Sequence, residues 1–164
     1  MAERLDIAQG DKEAKYELLL RQIKVMAEDA PDIIALMANV ASMIHYTFQF
    51  LWTGFYRVNG EELVLGPFQG PLACSRIPYG KGVCGKAWEE NRTIIVKDVN
   101  SFPGHIACSS DSKSEIVVPI RSNGEVVGVL DIDSRELSTF DGTDALWLEY
   151  IAEVLGVGNY PRTI

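Results

Sequence analysis

Two Asn-Gly dipeptides, Asn59-Gly60 and Asn123-Gly124, stand between segments with strand character and constrain the fold more than any other local feature of the chain. A two-residue Asn-Gly loop takes positive φ at both positions, which matches the twist of antiparallel strands and reverses the chain tightly. The spacing therefore predicts two β-hairpins, 52–58 with 62–68 and 115–120 with 125–133. Helical patterns flank them. Within 11–29, Leu18, Leu19, Gln22, Ile23 and Met26 recur at near-helical spacing until Ala30-Pro31 interrupts. Pro31 suits the opening turn of a second helix, whose face of Ile33, Ile34, Met37, Val40, Ala41 and Ile44 lasts to about Tyr46. The stretch FDGTDALWLEYIAEVLG predicts a last helix, capped near Asp141 and ending before Gly156.

Between the hairpins lie two loop-like texts. GPLACSRIPYGKGVCG predicts a wandering loop before a short helix at 86–89, and NSFPGHIACSSDSK predicts a second loop after a short strand at 94–96. Hairpins with helices at both chain ends predict an α+β domain: an antiparallel sheet with helices on one face and ligand-holding loops on the other. A single domain is expected over 1–164, with N-terminal helices about 11–46, sheet and loops about 52–133, and a C-terminal helix about 141–155.

With 164 residues and no composition break, such a domain buries enough surface to fold without covalent staples. Its net charge is −8, and its 15 basic residues never cluster with aromatics, which argues against nucleic acid as a partner. No apolar run has the length of a membrane span or a secretory leader, so the expected location is cytoplasmic. In that reducing compartment three cysteines, Cys74, Cys84 and Cys108, read as chemistry or packing rather than as a disulfide framework.

Asp131 and Asp133 are two apart on a strand and so leave the same face, while Leu130 and Ile132 leave the other. Glu115 begins the partner strand, and the register across Asn123-Gly124 can bring it beside the pair. Three clustered acids repel one another and raise at least one pKa, leaving one protonated to donate while another binds an ammonium group. Such a site suits an amino acid, although the two aspartates could equally cap a turn.

Cysteine is often inert core, yet all three lie among Gly, Ser and Pro, where a loop exposes them. Cys84 also falls near a predicted helix N-terminus, where amide dipoles lower a thiol pKa. Zinc held by three thiols and His105 would need spacings that match no common finger or ribbon, so no metal is expected. His105, three residues before Cys108, is a weak candidate for its base. Trp52 could wall a site for a thioether or methyl group, or simply pack in the core. Glycines around Val83 could let backbone amides approach a carboxylate.

These segments, PLACSRIPYGKGVCGKAW, FPGHIACSSDSKSEIVVPI and GVLDIDS followed by FD, closely resemble the free methionine-(R)-sulfoxide reductases, which are built on a GAF domain. The resemblance runs from about Trp52 to Asp141 and includes the order, spacing and flanks of all three cysteines. Two positions depart from the pattern, Ser109 where Asp is frequent and Arg135 where Pro is common, and neither is assigned to chemistry. The resemblance implies that Cys108 attacks, Cys74 resolves through a Cys74–Cys108 disulfide, and Cys84 is an auxiliary or alternative resolving thiol. It further implies that Trp52 receives the substrate's methyl end, that amides near Val83 and Cys84 meet its carboxylate, and that Glu115, Asp131 and Asp133 hold the rest. The implied activity is thioredoxin-dependent reduction of free L-methionine-(R)-sulfoxide, without a bound cofactor, in a homodimer. A non-enzymatic GAF module that binds a ligand or senses redox through its thiols is the alternative.

Overall fold

A computed structural model describes residues 4–157. Both expected hairpins form: β1 (Trp52–Asn59) pairs antiparallel with β2 (Glu62–Gln69) through Gly60-Glu61, Asn59 staying in the strand opposite Glu62, and β5 (Ser114–Ser122) pairs with β6 (Glu125–Ser134) through the left-handed Asn123-Gly124. Two short strands, β3 (Arg76–Pro78) and β4 (Ile94–Val96), complete a six-stranded sheet in the order β3-β2-β1-β6-β5-β4, and every pairing is antiparallel. The hairpins thus join edge to edge through β1 and β6, which places residues from distant parts of the chain side by side.

The helices α1 (Lys12–Asp29), α2 (Ile33–Phe48) and α4 (Gly142–Gly156) cover one face. Tyr16, Ile23, Met37, Ile44, Leu148 and Leu155 from the helices bury against Phe55, Ile116, Leu130 and Ile132 from the strands. Each of those large side chains contributes roughly 1.5–3 kcal/mol by leaving water. A polar network ties the first helix to the last: Asp144, 1 % exposed, accepts from the Tyr16 hydroxyl and the Lys12 ammonium at 2.7 Å each and also completes the capping box of α4. The opposite face carries Tyr56, Leu63, Val117 and Val129, covered by the short helix α3 (Gly82–Glu90) and the two long loops. This is the α+β arrangement expected, with helices on one side and loops on the other. Among the described residues no helix is long and apolar enough to cross a membrane.

Local differences have physical causes. Pro31 lies outside the second helix, because the Asp32 side chain accepts from the Ala35 amide at 2.8 Å and starts α2 at Ile33. That helix also passes Tyr46 and ends where Gln49 turns left-handed. Strand β3 interrupts the predicted first loop; three residues are too few to show alternation, and it exists by pairing with β2, Leu63 opposite Ile77. The short helix begins at Gly82 rather than residue 86, so Val83 and Cys84 belong to it.

Candidate active site

Strand alternation aims Asp131 and Asp133 away from the helical core. Their cross-strand partners complete the inner row: Asp133 lies between Trp52 on β1 and Glu115 on β5, while Asp131 lies between Gly54 and Val117. All three acids face one hollow of about 530 Å³, counted with its mouth, which Trp52, Val83, Cys84 and Cys108 also line. Every site residue expected from the sequence therefore converges there except Cys74, whose sulfur reaches it by bonding to Cys108.

That disulfide joins the two loops across 5.4 Å between α-carbons. Both cysteines are half-buried, so the bond sits at the rim rather than in the core. Tyr56, two positions beyond Gly54 on the same face of β1, donates its hydroxyl to the Cys74 carbonyl at 2.9 Å and steadies the loop that carries the thiol. Tyr56 is not among the site residues expected from the sequence, although its period-two spacing from Trp52 marks the shared face. Ser112 was also missed; its hydroxyl donates to Asp133 at 2.7 Å, and no pattern in a polar loop announces that contact.

Trp52 is buried, with its indole N–H donating to the Pro71 carbonyl at 3.1 Å and its ring stacked on Phe68 and Tyr56. Gly54 makes room for it, since a β-carbon there would stand 2.6 Å from the indole and 2.4 Å from the Phe68 β-carbon.

Cys84 departs from expectation. It is a free, buried thiol in the first turn of α3, and burial together with the neighbouring carboxylates pushes its pKa well up, against the helix dipole. The glycines around it reflect tight packing rather than a mobile loop. Gly82 has φ +61° with Ile106 against its missing side chain, and a β-carbon on Gly85 would stand 2.7 Å from the Pro78 carbonyl. Lys81 offers α3 no side-chain cap, leaving first-turn amides beside the hollow.

Glu115 and Asp131 are all but closed to solvent, each 6 % exposed, and Asp133 is half-buried. Burial, and then the charge of Asp133, pushes Glu115 up to about 8. Burial and the neighbouring acids raise Asp131 and Asp133 well above the carboxylate range, with the Ser112 hydrogen bond acting the other way on Asp133. His105 lies against Glu115, Nε2 to Oε2 3.6 Å, and burial lowers its pKa. A carboxyl with raised proton affinity, an apolar wall, helix-terminal amides and a disulfide share one enclosure.

A family model described as GAF domain matches residues 27–158. GAF domain-containing protein A of Dictyostelium discoideum is 53% identical over 94% of this chain and 99% of its own length. The free methionine-R-sulfoxide reductase of Saccharomyces cerevisiae is 42% identical over 88% of this chain and 86% of its own. The crystal structure of that reductase from Neisseria meningitidis, in complex with its substrate, superposes with a TM-score of 0.91 at 50% identity, covering 93% of each chain. The chain belongs to the free methionine-R-sulfoxide reductase family. It is an oxidoreductase on the GAF fold, and the sheet and loops just described are the family's scaffold.

Proposed function

We propose that the chain reduces free L-methionine-(R)-sulfoxide to L-methionine with its own thiols. The observation that carries this reading is the Cys74–Cys108 disulfide at the rim of the hollow that holds Glu115, Asp131 and Asp133. In the reduced protein the Cys108 thiolate attacks the sulfoxide sulfur while a protonated carboxyl donates to the oxygen and improves it as a leaving group. Glu115 is our choice for that acid: burial and the charge of Asp133 push it up to about 8, so it carries a proton near neutrality. The sulfoxide oxygen passes to Cys108, giving methionine and a sulfenic acid. Cys74 condenses with that sulfenic acid, water leaves, and the disulfide forms. An external dithiol of the thioredoxin kind reduces it through a mixed disulfide, as its half-buried position allows. The cycle needs no bound metal or nucleotide, and a reducing compartment such as the cytoplasm suits it.

Asp131 would take the substrate ammonium, the first-turn amides at Val83 and Cys84 its carboxylate, and Trp52 its methyl end. A methionine sulfoxide inside a polypeptide presents neutral amides to these groups and leaves them unpaired, so only the free amino acid fits. Cys84, buried and held neutral, serves the pocket rather than the main resolving step. Two chains would pair through α1 and α2, which expose Val25 and Tyr46 beside a groove; sedimentation at the mass of one chain would remove that part of the reading.

Single-turnover kinetics test the thiol roles. Cys108→Ser should release no methionine, whereas Cys74→Ser should release one equivalent and then stall. A full first turnover from Cys108→Ser would overturn the assignment.

A further inference from the structure

The Cys84 thiol, the Glu115 carboxyl and the Asp131 carboxyl each offer an atom within 4.8 Å of the others, and all three residues are buried. From zinc bond lengths, the donor atoms around a tetrahedral ion sit about 3.3–3.5 Å apart, so side-chain shifts of about 1 Å would close this set. A second observation points to a ligand: Asp131 Oδ1 is buried without a hydrogen-bond partner in a residue 6 % exposed that lines the hollow. A lone oxygen of that kind is costly to bury, and a cation would satisfy it.

We propose that Cys84, Glu115 and Asp131 form a binding site for a borderline-soft divalent cation, with Zn²⁺ the best match. One thiolate and two carboxylates suit Zn²⁺, whereas Mg²⁺ and Ca²⁺ favour all-oxygen shells. A solvent molecule from the hollow would complete the tetrahedron, since His105 Nε2, although 3.6 Å from Glu115 Oε2, lies outside this three-donor group. The ion displaces the thiol proton of Cys84 and any proton on Glu115 or Asp131 into solvent and changes no oxidation state. Seated there it covers the acids that face the hollow, so the site would act as an inhibitory one. The binding itself depends on these side chains alone and not on which sulfoxide the protein reduces.

The test uses the full chain in its disulfide form, in which Cys84 is the one free thiol. Co²⁺ replaces Zn²⁺ as a spectroscopic probe, followed by the thiolate-to-metal charge-transfer band in the near ultraviolet. The expected result is a saturable one-to-one band that Zn²⁺ abolishes and excess Mg²⁺ leaves intact. No band in the natural chain overturns the proposal, as does an undiminished band in a folded Cys84→Ser variant. Should that variant not fold, Asp131→Asn replaces it: a tenfold or greater loss of Co²⁺ affinity supports the site, and unchanged affinity overturns it. Reduced protein that turns over no sulfoxide in the presence of a chelator would defeat the reductase reading by itself; the cobalt band decides the metal site separately.

Discussion

Glu115 shows at the level of one residue how an enclosure sets chemistry. An exposed glutamate ionises near 4.5, but here burial and Asp133 carry it to about 8, so it holds a proton where most carboxyls do not. As pH rises through about 8 that proton is lost, and the rate of the chemical step should fall with it. Glu115→Gln keeps an amide donor but cannot deliver a proton, so the expected outcome is a loss of kcat on the order of 10²- to 10⁴-fold and disappearance of the alkaline limb. A pH–rate profile of both proteins checks this, and an unchanged alkaline limb would assign the acid elsewhere. The acids were legible as a group because strand alternation and the Asn-Gly register are local rules. How far burial raises all three was not, since that depends on remote loops closing over them.

Strand β1 is the element that shapes the pocket wall. Trp52, Gly54 and Tyr56 share one face, and the glycine in the middle is what lets the indole lie across the strand. Gly54→Ala would put a methyl group 2.6 Å from the indole and 2.4 Å from Phe68, so one ring must move. We expect a stability loss of about 1–3 kcal/mol from overpacking, together with a raised KM for free methionine sulfoxide. Urea unfolding and steady-state kinetics measure the two effects, and a variant that matches the natural protein in both would show that Trp52 is held by something else. Helix α3 teaches the complementary lesson. Its glycine-rich text reads as loop because glycine is the usual loop residue, yet Gly82 and Gly85 are there for close approach to Ile106 and Pro78. The same misreading exposed Cys84 on paper, whereas the helix buries it.

For the whole molecule, the three pocket acids with raised pKa values have a cost. Below about pH 4 the folded and unfolded chains both hold these protons; as pH rises the unfolded chain releases them first, so stability declines by about 1.4 kcal/mol per pH unit for each carboxyl still protonated in the folded state. For Glu115 the window runs from its ordinary 4.5 to about 8. Urea midpoints across that range should fall more steeply for the natural chain than for Glu115→Gln, which lacks this contribution; parallel curves would show that Glu115 titrates normally. The alternation patterns, the Asn-Gly turns and the capping aspartates determined the strands, helices and α+β class from local sequence, because each rests on backbone geometry within a few residues. The spacing of the three cysteines and their flanks pointed to the family by resemblance. Only the tertiary structure decided that β1 joins β6 and that Cys84 lies buried against Asp131 and Glu115, while it joins Cys74 to Cys108 across 34 positions, the pairing the resemblance implies. Those contacts follow from how two hairpins and a short helix close around shared buried surface, and burial and proton affinity are properties of that enclosure rather than of any segment.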